Sequence, residues 1–288
     1  EKLPDNGLEN NRQGAFQVYD GTTGNLMWVG GYQEGQQPGD LYGFKALGVF
    51  DNWDEINAVA ATRKDITTGM FGSNARPVYG PDAWDALGDN KGSGLALKPG
   101  DMNWLDVNED GVIDDFDMVK MGNTRPKWFG GLTSALTYKS FKLYARMDYS
   151  LGFVQVDAQR PWFMAMAQGT YNSLIETRNT WTPENPTAEF AEYRWADQLG
   201  SRNYARMSSQ WIYKGDFLAF REVSLSYSLP ESALEVTRLK DVTLSVTGQN
   251  LGYLTASKLN NPEIYGASQQ WAGYASPKTV IFGINVKF

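Results

Sequence analysis

The sequence predicts an all-β protein, and within that class the C-terminal part of a large antiparallel transmembrane β-barrel with long extracellular loops. Three observations carry the expectation. Aromatic residues make up 14% of the 288, with 30 glycines, 10 tryptophans and 15 tyrosines, a mixture suited to pleated, turn-rich structure. The last ten residues alternate: Val280, Phe282, Ile284, Val286 and Phe288 are apolar, and Thr279, Gly283, Asn285 and Lys287 fall between them, with Ile281 the one apolar intruder. Long and short connections also alternate along the chain, the asymmetry of outer-membrane barrels.

Composition removes several classes of chemistry. The chain has no cysteine and no histidine, so disulfides, thiolate or imidazole metal sites and imidazole-based triads are excluded. A net charge of −7 argues against a nucleic-acid partner, which calls for clustered Lys and Arg. No run approaches the roughly 18 consecutive apolar residues of a spanning helix, so strands are the only route across a bilayer. Residues 1–11 are charged and amide-rich, so the expectation is a chain that starts after a removed signal or inside a longer protein.

Taken in order, one or two strands are expected between residues 15 and 50. There Phe16 to Tyr19, Leu26 to Val29 and Leu41 to Phe50 are strand-like, and Asp20-Gly21 and Pro38-Gly39 mark turns. Residues 51–128 read as a loop. Five strands follow at about 129–138, 141–150, 217–229, 241–250 and 279–288, separated by loops at 151–216 and 251–278 and by tight turns elsewhere. In the second of these, Phe141, Leu143, Ala145, Met147 and Tyr149 alternate with Lys142, Tyr144, Arg146 and Asp148. Ten such residues fit a tilted crossing of a hydrocarbon layer about 30 Å thick, the polar face lining a wet lumen. The alternative is a soluble β-sandwich, whose strands also alternate. Six or seven strands fall short of the roughly 8 that close a membrane barrel, so the remainder is expected from elsewhere. One conflict stands out: strict alternation from Phe217 to Leu229 would turn Arg221 towards lipid, and a bulge between Phe220 and Val223 would remove it.

The run from 106 to 117 has calcium-loop spacing. Asp106, Asn108 and Asp110 occupy positions 1, 3 and 5 of twelve, Gly111 the sharp turn at 6, Val112 a backbone carbonyl at 7, Asp114 position 9 and Asp117 position 12. Oxygen donors on every second residue wrap one hard cation, so a structural Ca²⁺ is expected; the competing reading is an acidic turn held by its own hydrogen bonds.

Several segments resemble the SusC/RagA type of TonB-dependent outer-membrane transporter. They are PGDMNWLDVNEDGVIDDFDMVKMGN at 99–123 with RPKWFGG at 125–131, GFKALGVFDNWDE at 43–55, TWTPENP at 180–186, FLAFREVSLSYSLP at 217–230, GQNLGYLT at 248–255, Asn261-Pro262-Glu263, and Ser276-Pro277-Lys278 leading to Phe288. The resemblance covers nearly the whole chain but only the last third or so of such a transporter. It implies a 22-stranded barrel in the bacterial outer membrane, a plug and further strands supplied by the rest of the protein or a sister chain, and import of glycan or peptide oligomers. It also implies a SusD-like surface lipoprotein as lid, and the TonB complex engaged through parts not in these 288 residues.

Trp162, Trp181, Trp195, Trp211 and Trp271 fall in the long loops, where they could stack on cargo or pack the loops together, the second being the commoner use. Arg160, Arg178, Arg194, Arg202 and Arg206 are expected to be solvated or lid-facing. An enzyme would have only paired carboxylates to work with, such as Asp82 with Asp85 or Glu184 with Glu189, so none is expected. The competing function is a secreted, calcium-stabilised β-sandwich that binds carbohydrate.

Overall fold

The computed structural model describes residues 2–68, 76–166, 172–194, 196–235, 239–259, 261–263 and 276–288. They form two compact units. One is built within Glu1–Thr124 and Val156–Ile212, the other within Arg125–Gln155, Tyr213–Gly266 and Ala272–Phe288.

The second unit is a five-stranded antiparallel sheet of β1 (Trp128–Tyr138), β2 (Phe141–Leu151), β3 (Phe217–Ser228), β4 (Asp241–Thr255) and β5 (Thr279–Lys287), each paired with its neighbour in sequence. All five strands expected from periodicity are present. A two-residue turn joins β1 to β2, with Tyr138 opposite Phe141 and Lys139 taking a left-handed φ of 52°. The β1–β2 and β3–β4 connections lie at one end, the turn end, and the β2–β3 and β4–β5 connections at the other, the loop end. β4 runs five residues beyond its expected limit, because an irregularity at Asn250-Leu251, followed by Gly252 at φ 151°, lets pairing resume. Eleven residues at about 3.4 Å each span roughly 34 Å, which a tilt near 40° reduces to about 26 Å, the height of a barrel's apolar band.

The first unit corrects the expectation for residues 15–50. These segments are strands, but short ones that do not join the long sheet. Phe16–Asp20 pairs with Asn25–Val29, Asp40–Gly43 with Val119–Asn123, and Ala46–Val49 with Met102–Trp104. Nor are 51–128 and 151–216 plain loops. A four-stranded sheet runs Leu95–Ala96, Val78–Tyr79, Lys64–Asp65, Val112–Ile113. A helix at Trp53–Val59 starts where the Asn52 side chain accepts the Glu55 N–H at 3.0 Å. A core of Phe44, Trp104, Ile113, Phe190, Tyr204 and Trp211, among others, closes over these elements. Phe190 stacks on Trp211 at 6.3 Å, and the Trp211 indole N–H donates to the Tyr204 carbonyl at 3.0 Å.

Candidate functional site

Residues directly opposite in an antiparallel ladder share a face, so the pairing sorts every side chain of the long sheet. One face carries Leu132 and Leu136 of β1, Leu143 and Met147 of β2, Leu218, Phe220, Val223 and Leu225 of β3, Leu244 and Val246 of β4, and Val280, Phe282 and Ile284 of β5. Tyr138, Phe141, Tyr227 and Phe288 edge it at the turn end, Trp128 and Tyr149 at the loop end. The opposite face carries Thr133, Thr137, Lys142, Arg146, Asp148, Glu222, Ser224, Ser226, Thr243, Ser245, Thr247, Asn285 and Lys287, together with Phe129, Tyr144, Phe217, Tyr253 and Ile281. There Ser224 and Thr247 hydroxyls hydrogen-bond across β3 and β4 at 2.8 Å.

Among the described residues, none covers the apolar face. Phe282 is 81% exposed, Ile284 73%, Trp128 70% and Leu136 63%. An apolar face continuous across all five strands is more than a water-soluble protein normally leaves open. The soluble sandwich needs a second sheet interleaved with these side chains, and none of the described residues supplies one. Among the described residues no helix is long and apolar enough to cross a membrane, which says nothing of crossing by strands.

The register shift at Arg221 lies where the conflict required it. Arg146 faces Glu222 and Met147 faces Phe220, leaving Arg221 unpaired, and the ladder to β4 slips at the same place. The β3 residues on the apolar face are even-numbered before the shift and odd-numbered after it, so one bulged residue keeps that face continuous. Arg221 Nε donates to Asp148 Oδ2 at 2.7 Å and its Nη1 to Glu263 Oε1.

In the acidic loop the carboxylates turn largely onto the backbone. Asp106 Oδ2 accepts the Gly111 N–H at 3.0 Å, Asp110 Oδ1 the Val112 N–H at 2.7 Å, and Asn108 donates to Asp110 at 2.9 Å. Gly111 takes φ 77°, the left-handed turn its position demands. Asp114 caps the short turn Asp115–Asp117, and Asp117, fully buried, accepts the Val107 and Asp114 amides at 2.8 and 2.9 Å. Burial pushes Asp117 up to about 6 against those two hydrogen bonds, with Asp106 and Asp114 adding to the rise. Asp106 Oδ1 is buried and has no hydrogen-bond partner. Among the described residues no three acidic side chains converge as ligands of one metal ion.

The loop arginines depart from the expectation of a solvated set. Arg202 and Arg206 are completely buried. Arg206 pairs with Asp65 and lies over the Trp104 ring at 4.8 Å, and Arg202 donates to the Arg76 carbonyl at 2.6 Å. Arg194 bridges Asp101 and Glu192 at 2.7 Å each, Arg160 pairs with Glu176, and Arg178 alone is exposed. The reason is long-range: Asp65 stands 141 residues from Arg206, so nothing local announces the pairing. Trp181 and Trp211 are buried and Trp162 half-buried, the packing use; Trp195 and Trp271 lie outside the described residues. Asp82, Asp85, Glu184 and Glu189 are exposed, as solvated carboxylates are.

The geometry thus describes an open antiparallel sheet with one continuous apolar face and one largely polar face. No family model matches the chain. It is similar to TonB-dependent receptor P26 of Formosa agariphila, 25% identical over 204 residues, covering 66% of this chain and 20% of that protein. TonB-dependent receptor P39 of the same organism is 24% identical over 276 residues, covering 90% and 26%. Among solved structures, the RagAB peptide transporter matches with a TM-score of 0.59 at 15% identity over 94% of this chain and 25% of that one. The RagAB peptide importer in its closed-closed state matches with 0.59 at 16%, over 96% and 25%. The relatives of this chain are therefore TonB-dependent receptors, and it spans about a fifth to a quarter of their length.

Proposed function

We propose that this chain is the C-terminal stretch of wall and extracellular mouth of a TonB-dependent importer in the bacterial outer membrane, one that takes up glycan or peptide oligomers. The uncovered apolar face carries the reading, since Phe282, Ile284, Leu136 and Trp128 suit hydrocarbon and not water. Outer-membrane lipid covers that face. Strands β1 and β5 are the sheet's edges, and in lipid each needs a neighbour, so the remaining strands of a 22-stranded barrel and the plug filling its lumen come from the rest of the protein or a sister chain. A SusD-like lipoprotein over the mouth and the TonB complex beneath complete the assembly. Fractionation of the whole protein tests this. The expected result is recovery in the outer membrane and release only by detergent; a water-soluble protein would contradict it.

The loop at 106–117 is proposed to bind a structural Ca²⁺ through Asp106, Asn108, Asp110, the Val112 carbonyl, Asp114 and Asp117. The twelve-residue spacing and the unpartnered Asp106 Oδ1 support this, and binding would have to draw in carboxylates now facing amides. Terbium luminescence on the whole protein should show saturable binding, displaced by Ca²⁺ and lost in Asp106→Ala; no luminescence in the parent would leave the self-bonded acidic turn.

A further inference from the structure

The Arg221 bulge does more than keep a cation off the apolar face. Its guanidinium is held between Asp148, on the wall, and Glu263, in the segment that follows β4. Glu263 also accepts the Tyr253 hydroxyl, from β4 itself. One residue back, the buried Pro262 offers its carbonyl to Gln155 Nε2 at 2.9 Å, and Gln155 Oε1 accepts the Ser257 hydroxyl at 2.8 Å. At the segment's start, the Ala256 N–H and the Thr255 hydroxyl donate to the Asp216 carbonyl at 3.2 and 2.8 Å. Residues 256–259 and 261–263 are thus fixed to the sheet unit by polar bonds at both ends.

We infer that residues 256–259 and 261–263 belong to a strap latched to the lumen side of the wall by the Asp148–Arg221–Glu263 cluster. The latch stands beside a cavity of about 490 Å³ lined by Phe129, Gly130, Asp148, Ser150, Phe217 and Arg221. A strap held there sets how far the outer end of the bore is open next to that cavity, and opening it exchanges the Arg221–Glu263 contact for water while Arg221 keeps Asp148. Arg221 is a positioning residue in this arrangement. The side of the wall named here rests on the barrel reading above.

The chain has no cysteine, so Pro262→Cys gives the strap a unique thiol within it. In outer-membrane vesicles holding the whole transporter, a membrane-impermeant maleimide should label this thiol slowly. Adding Glu263→Ala, which removes the Arg221 contact and the Tyr253 hydroxyl bond together, should speed labelling at least about tenfold. Arg221→Ala should do the same and Arg221→Lys less. If Arg221→Ala does not insert, Glu263→Ala, which leaves the Arg221–Asp148 pair intact, still decides. Membrane-inserted Glu263→Ala protein labelled at the parent rate would overturn the strap and leave the barrel reading standing. Parent protein found in the soluble fraction would overturn the barrel reading, and the lumen-side strap with it.

Discussion

In the loop unit Trp211, Tyr204 and Ile113 are withdrawn from solvent entirely, whereas in the sheet unit Phe282, Ile284 and Trp128, side chains of the same chemistry, stand largely exposed. Charges are distributed the opposite way. The loop unit buries Arg206 with Asp65, and the sheet unit gathers Arg146, Asp148, Arg221 and Glu222 on its polar face. The hydrophobic effect acts on both units, but under the proposed function the solvent differs: water would surround the first, and the second would have water on one face and hydrocarbon on the other. One chain therefore obeys two burial rules, and a substitution has a different cost in each.

The largest effects belong to the packed unit. Trp211→Ala should cost about 3–5 kcal/mol of loop-unit stability by removing a fully buried ring that stacks on Phe190 and Tyr204, read as rapid limited proteolysis within 156–212 while the sheet stays protected. Asp65→Ala should cost a similar amount, about 3–5 kcal/mol, because it leaves Arg206 buried without its carboxylate; survival of the variant to the parent's denaturant midpoint would show the pair to be dispensable. On the belt, Val246→Arg should lower membrane stability by about 2–4 kcal/mol in detergent-to-lipid refolding, and Thr247→Arg, one residue on and facing the other way, by no more than the roughly 0.5–1.5 kcal/mol of its hydroxyl bond to Ser224. At Gly100, where φ is 90° and a Cβ would come within 2.6 Å of the Trp181 ring, alanine should cost about 1–3 kcal/mol and lower the thermal midpoint of the loop unit. Smallest, Ser224→Ala should cost about 0.5–1.5 kcal/mol through its hydroxyl bond to Thr247, as urea titration would report.

The sheet was legible in the sequence because period two is a local property. The alternation of 279–288 and 141–150 fixed both the strands and their faces, and the single break, at Arg221, was visible as a cation in an apolar column. The loop unit was much less legible. Its strands are two to five residues long, too short for alternation to register, and Leu41 to Phe50, read as one strand, is two strands with different partners. Its arginines looked solvated because Asp65 and Asp101, which hold Arg206 and Arg194, lie 141 and 93 residues away. The spacing of 106–117 was plain from composition, but spacing does not say where each carboxylate points, and here Asp110, Asp114 and Asp117 point to backbone amides.

The central claim is that the two faces of the five-stranded sheet meet different solvents. Nitroxide labels placed singly from Leu244 to Thr247 in the reconstituted whole protein would measure this directly, by relaxation with oxygen, which concentrates in lipid, and with a water-soluble nickel chelate. Leu244 and Val246 should be oxygen-accessible, and Ser245 and Thr247 nickel-accessible, in strict alternation. Equal nickel access at all four positions would contradict it.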